Sequence, residues 1–161
     1  MRAFAYVAAV VVAVIALGAG VGAVANRSAE PALCQAVPSL DRLVVHRSDA
    51  FPQNHIRFTF PAEVTVTDVG NVRSVARALC SLPRVAKGSY NCPSDLGIAY
   101  HLYFSARDRT FRPVEVDAGG CQWVRGLGTV RWSNGPFWRS LARAVGLSSS
   151  APILGSLPGG S

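Results

Sequence analysis

Apolar and polar residues alternate most strictly between Ile98 and Ser105: Ile98, Tyr100, Leu102 and Phe104 against Ala99, His101, Tyr103 and Ser105. Period two is the signature of a strand that buries one face. After an Arg107-Asp108-Arg109 turn, Val114 and Val116 alternate with Glu115 and Asp117. The two runs predict a hairpin whose core face carries Ile98, Tyr100, Leu102 and Phe104. Shorter runs predict further strands at Leu43–His46, Ile56–Phe60, Val64–Val66, Trp123–Val124 and Val130–Trp132. Pro61 interrupts the second of these, because proline has no amide proton for a ladder. Ala118-Gly119-Gly120 predicts a bulge or bend before Cys121.

Two stretches change period. Val72, Val75, Ala76, Leu79 and Cys80 recur at helical spacing, with Arg73, Ser74, Arg77 and Ser81 between them. Asp68 or Asn71 can cap this helix, and Pro83 stops it. Near the C-terminus, Ser133 or Asn134 can cap a second helix with Pro136 in its first turn and Gly146 just past its end. Its predicted buried stripe is Phe137, Leu141, Ala144 and Val145. The expected fold is α+β, in the order βββαββββα. A mainly antiparallel sheet carries two amphipathic helices on one face, fastened by two disulfides.

The 161-residue chain begins with a different texture. Residues 3–25 hold no charge and follow Arg2. Two readings fit residues 1–25: a signal peptide cleaved after Ala23-Val24-Ala25, or a transmembrane anchor. Either one exports the remainder. Residues 26–33 read as a polar spacer, 34–147 as the stapled domain, and the Ser/Gly/Pro-rich 148–161 as a disordered tail. In an exported chain, Cys34, Cys80, Cys92 and Cys121 imply two disulfides. A hairpin turning at Asp108 pairs residues whose numbers sum to about 216, so Cys92 falls opposite roughly position 124. A bulge at Gly119-Gly120 would bring Cys121 alongside, within the ~4.4–6.8 Å Cα separation that a disulfide needs. Cys34–Cys80 then follows by elimination. The competing arrangement is Cys80–Cys92 with Cys34–Cys121.

Charge narrows the partners. Without residues 1–25, fifteen basic and nine acidic residues leave a balance of +6. That favours anionic envelope polymers or lipid; nucleic acid fits an exported chain poorly. There is no Cys-x-x-Cys pair, and His46, His55 and His101 lie far apart in sequence, so no metal or other cofactor is expected.

No catalytic set stands out. His101 should lie on the outer face opposite Glu115, beside Tyr103. That is either an oriented imidazole, as a general base requires, or an ordinary cross-strand pair. Asp95 fits a turn better than a reactive carboxylate. Trp132, Trp138 and Arg139, with Arg131 and Phe137, form a candidate aromatic and basic surface, although some of them can equally pack the last helix onto the sheet. Arg139 and Arg143 are like charges at i, i+4, which an anionic partner would relieve.

Several of these segments resemble a known pattern: Leu82-Pro83, Cys92-Pro93-Ser94-Asp95-Leu96-Gly97, Tyr100-His101-Leu102-Tyr103-Phe104 and Gly120-Cys121-Gln122-Trp123-Val124. The pattern is that of uncharacterised exported proteins of actinobacteria, secreted or membrane-anchored. There a Cys-Pro-x-Asp-x-Gly start leads into a Tyr-x-Leu-x-Phe strand, and a Gly-Cys follows the return strand. The resemblance implies Cys92–Cys121 as the shared bridge and Cys34–Cys80 as an addition of this chain. It implies no activity. A fainter likeness is to secreted bacterial subtilisin inhibitors, although no reactive-site segment matches.

The expected function is therefore a non-catalytic domain, secreted or at the cell envelope, that binds a protein or a wall polymer. The alternatives are a secreted protease inhibitor, which needs an exposed extended loop such as Arg84–Asn91, and a hydrolase using His101.

Overall fold

A computed structural model describes residues 31–154. The proposed leader and most of the spacer lie outside these residues. Among the described residues, no helix is long and apolar enough to cross a membrane.

The sheet has seven antiparallel strands: β1 (Arg42–Asp49), β2 (Glu63–Val66), β3 (Ile98–Ala106), β4 (Arg109–Thr110), β5 (Val114–Asp117), β6 (Trp123–Arg125) and β7 (Arg131–Trp132). Their spatial order is β2-β1-β3-β5-β6-β7, with β4 pairing the end of β3. The hairpin forms in the expected register, with Ala99 opposite Asp117 and His101 opposite Glu115. β1 runs the full length of β3 on its other side, from Arg42↔Ser105 to Asp49↔Ile98.

Register sorts side chains by face. Leu43, Val45, Val66, Ile98, Tyr100, Leu102, Phe104, Val114, Val116 and Val124 are buried on one side. Helix α1 (Ala32–Gln35) precedes the sheet, α2 (Val69–Cys80) follows β2, and α3 (Gly135–Ala144) closes the order. α2 packs against α3 and against β1 and β2. Trp138 of α3 meets the Tyr100 ring edge-on at 6.0 Å. Both longer helices thus cover the same face of the sheet.

The helix ends follow local chemistry. Asp68 caps α2 by accepting a 2.7 Å bond from the Asn71 amide. Asn134 caps α3 by accepting from the Phe137 amide at 3.0 Å. At the far end of α3, Gly146 takes φ 85°, the Leu147 amide donates to Ala142, and the Gly146 amide donates to Arg143. This is a Schellman closure, which favours glycine because a side chain at positive φ is strained. Gly126 is a stricter case, since a Cβ there would stand 2.5 Å from the Pro113 carbonyl oxygen.

Two disulfides join Cys34 to Cys80 and Cys92 to Cys121, with Cα separations of 5.6 and 4.8 Å. The competing connectivity is thereby excluded. Closing spans of 46 and 29 residues stabilises by about 4 kcal/mol each in the loop-entropy model. Such bridges belong to an oxidising, extracytoplasmic setting.

Three expectations change. Ile56–Phe60 is not a strand. His55 takes a left-handed φ of 50° after a 3-10 turn at Pro52–Asn54, and Pro61 follows. Ile56, Phe58 and Phe60 are still more buried than Arg57 and Thr59, so the alternation reports burial rather than pairing. The Arg47 guanidinium lies over Phe58 at 3.6 Å and Phe60 at 4.8 Å. The bend expected before Cys121 does form, and the Gln122 amide closes it by donating to Gly119. The buried stripe of α3 is wider than expected: Trp138 and Ala142 join Phe137, Leu141 and Val145, and Ala144 is partly buried against the core. Finally, the C-terminal segment is partly ordered. Ala151–Leu154 form a 3-10 turn, Ile153 is fully buried, and its carbonyl accepts the Tyr100 hydroxyl.

Candidate functional site: the uncovered sheet face

The strand positions that point away from the helices converge on one surface. Register aligns Glu63, His46, His101, Glu115 and Arg125 in a row across five strands. Val44 and Tyr103 pair on one flank of this row, and Ser48, Ala99 and Asp117 align on the other. Trp123 pairs with Trp132 at the β6–β7 end. Tyr103 is 44% exposed, and most of its neighbours on this face are half-buried. Among the described residues, no helix packs on this face.

The predicted residues separate into two groups. His101, Tyr103, Glu115 and Trp132 do share the surface. Trp138 does not: it is 3% exposed on the covered side, and its indole N–H donates to Ser133 Oγ at 2.9 Å. Its aromatic bulk and helical position make it core. Arg139 is exposed on α3, on the opposite side of the sheet from His101. Arg131 is buried, and its Nη1 donates to the carbonyls of Cys80 and Leu82 at 2.9 and 3.0 Å. It binds the last carbonyls of α2, where a cation is favoured. Asp95 serves its turn, accepting from the Gly97 amide at 2.9 Å.

The structure adds His46, Ser48, Trp123 and Arg125 to the surface. His46 faces His101 with ring centroids 6.0 Å apart. Ser48 Oγ lies 3.2 Å from His101 Nε2 and also donates to the Ala99 carbonyl at 3.4 Å. Arg125 ties Glu115 and Asp117 together at 3.1 and 2.9 Å. First the Asp117 hydrogen bond and then the two carboxylate charges raise the Arg125 pKa, against partial desolvation. The guanidinium also lies 5.5 Å from the Trp123 ring. The alternation of Leu43 and Val45 places His46 and Ser48 outward. What the sequence withholds is that β1 lies beside β3, more than fifty residues away.

At the β7 end, the segment after Pro83 approaches the same surface. The Val85 amide donates to Val130, and Tyr90 stacks edge-on against Trp132 at 5.1 Å. An apolar slot of ≈ 570 Å³ lies between this segment and the sheet, walled by Tyr90, Trp123 and Val130 with Lys87 and Arg125 at its rim. Tyr90 Oη donates to Ala86 at 2.6 Å, so the segment closes on itself rather than lying extended. Among the described residues, no group of three or more His, Cys, Asp or Glu side chains is placed to hold a metal ion.

No family model matches the chain, and neither a curated protein nor a solved structure matches it.

Proposed function

We propose that the chain is a non-catalytic domain, secreted or held at the cell envelope, that binds a protein partner through the uncovered sheet face. One observation carries this reading: a seven-stranded sheet is buried under helices on one side and bears a broad, half-exposed surface of imidazole, tyrosine and tryptophan on the other. Partly exposed aromatic and arginine side chains on a rigid scaffold are the usual anchors of protein interfaces. The row through His46 and His101 carries Glu63 and Glu115 against Arg125, so it is close to charge-balanced. A protein surface suits that balance better than a polyanion does.

The hydrolase alternative draws on the Ser48–His101 contact of 3.2 Å. A serine nucleophile also needs preorganised donors for the developing oxyanion. Here His101 lies between two paired strands, and Ser48 lies one residue from the end of β1. Glu115, which would orient the imidazole, is held by Arg125 instead. These features favour binding over turnover.

The test is a pull-down from envelope fractions with the exported protein and its Tyr103→Ala and His101→Ala variants. Capture of a defined envelope protein that drops about tenfold or more with Tyr103→Ala is expected, the loss typical of an interface anchor. A substrate turned over by the protein and lost with His101→Ala would replace this reading with the hydrolase one.

A further inference from the structure

Among the described residues, the ion pairs are those of Arg125 with Glu115 and Asp117. Four other described arginines, none of them in an ion pair, gather at one end of the domain. A groove of ≈ 600 Å³ between the β3–β4 hairpin and the 3-10 turn at Val37–Ser39 is lined by Arg73, Arg107 and Arg109. A second groove of ≈ 530 Å³ shares Asp41, Arg107 and Phe111 with the first and adds Arg42. Through these shared residues the two grooves adjoin, forming a path whose lining holds four arginines.

The path is built rather than accidental. Arg73 leaves its helix surface to donate its Nε to the Leu40 carbonyl at 3.1 Å, which leaves its outer nitrogens free. Arg109 lies over the Phe111 ring at 4.8 Å. Arg107 holds a left-handed φ of 51°, and its amide donates to Asp41 Oδ2 at 2.8 Å, which pins the hairpin tip to the start of β1. Asp41 thus gives one carboxylate oxygen to a backbone amide and keeps its charge in both grooves, and Asp108 is the other acid lining them. Four arginines against two acids leave this lining with an excess of positive charge, which an anion would offset.

We propose that this path binds successive phosphate groups of an anionic polymer. The proposal differs in chemistry from the protein-binding reading, although the second groove adjoins that face through Val44 and Tyr103. A phosphate offers more charge than a carboxylate and enough oxygens to bridge two guanidiniums at once. A polymer fits better than a lipid surface. The hairpin tip is Arg107-Asp108-Arg109, and of the large apolar side chains exposed among the described residues only Tyr103 lines the path, too little for a membrane anchor.

The experiment titrates the exported form of the chain, disulfides intact, with tripolyphosphate. Parallel arms use inorganic phosphate, polyglutamate and phosphatidylglycerol vesicles. Tripolyphosphate should bind more tightly than inorganic phosphate or polyglutamate, with log affinity falling linearly with log salt. Arg107→Gln with Arg109→Gln should weaken it by about tenfold and reduce the salt slope by about two. Arg139→Gln with Arg143→Gln makes the same charge change on α3 and should alter affinity less than about twofold. Equal losses in the two double variants would reduce the effect to net charge. Equal or tighter binding of polyglutamate would remove the phosphate preference, and binding to vesicles alone would make the site a lipid one. Absence of tripolyphosphate binding overturns the proposal outright.

Discussion

On the helix side of β3 stand Ile98, Tyr100, Leu102 and Phe104, none more than 2% exposed. On the other side of the same strand stand Ala99, His101 and Tyr103, half-buried or exposed, with no helix among the described residues above them. The backbone, the register and the neighbouring strands are common to both sides. Packing alone separates them. Substitutions toward the helices should therefore be read in stability, and substitutions toward solvent in recognition.

The largest break in that comparison should come from Leu102→Ala. Its side chain is fully buried at the centre of the sheet, and such truncations cost about 2–5 kcal/mol through lost transfer energy and the residual cavity. Urea unfolding should show a lower midpoint at unchanged slope.

Tyr100→Phe should cost roughly 1–3 kcal/mol, because it leaves the Ile153 carbonyl without its donor in a buried position. It also carries a pH signature. Burial holds the Tyr100 hydroxyl far above the usual phenol range, and the nearby Arg47 charge offsets only part of this. The unfolded chain releases this proton above about pH 10 while the folded chain keeps it. The stability that Tyr100 contributes is therefore complete below pH 10 and is lost as pH rises beyond it. Unfolding at pH 8 and pH 11 should show a smaller decline for the phenylalanine variant than for wild type.

Arg125→Ala acts on the uncovered side and should cost only about 0.2–1 kcal/mol, less in high salt, because its ion pairs are partly solvated. Tyr103→Ala should change stability by about 0.5 kcal/mol or less. A larger loss from Tyr103→Ala would mean that this face is a second core rather than a recognition surface.

Much of this division is legible in the residues themselves. The alternation from Ile98 to Phe104 assigned every side chain of β3 to its face, and the pairing about Asp108 placed Glu115 opposite His101. A bend at Gly119-Gly120 was enough to bring Cys92 and Cys121 together. The misreadings share a cause: they concern contacts between distant parts of the chain. Ile56–Phe60 alternates like a strand but forms only an isolated bridge at Arg57, because the left-handed His55 before it and Pro61 after it break the extended run. Trp138 and Arg131 look like surface chemistry until α3 docks on Tyr100 and the last carbonyls of α2 need a donor. His46 and Ser48 joined the face only because β1 inserts between β2 and β3, a pairing that no local pattern encodes.

The most direct test of the central claim is site-specific photo-crosslinking in the native host. A photoreactive residue is placed at position 103 on the uncovered face, or at position 139 on α3, and each variant is checked for wild-type unfolding. The account predicts a discrete crosslinked partner from position 103 and none from position 139. Adducts from position 139 alone, or the same adducts from both positions, would contradict it.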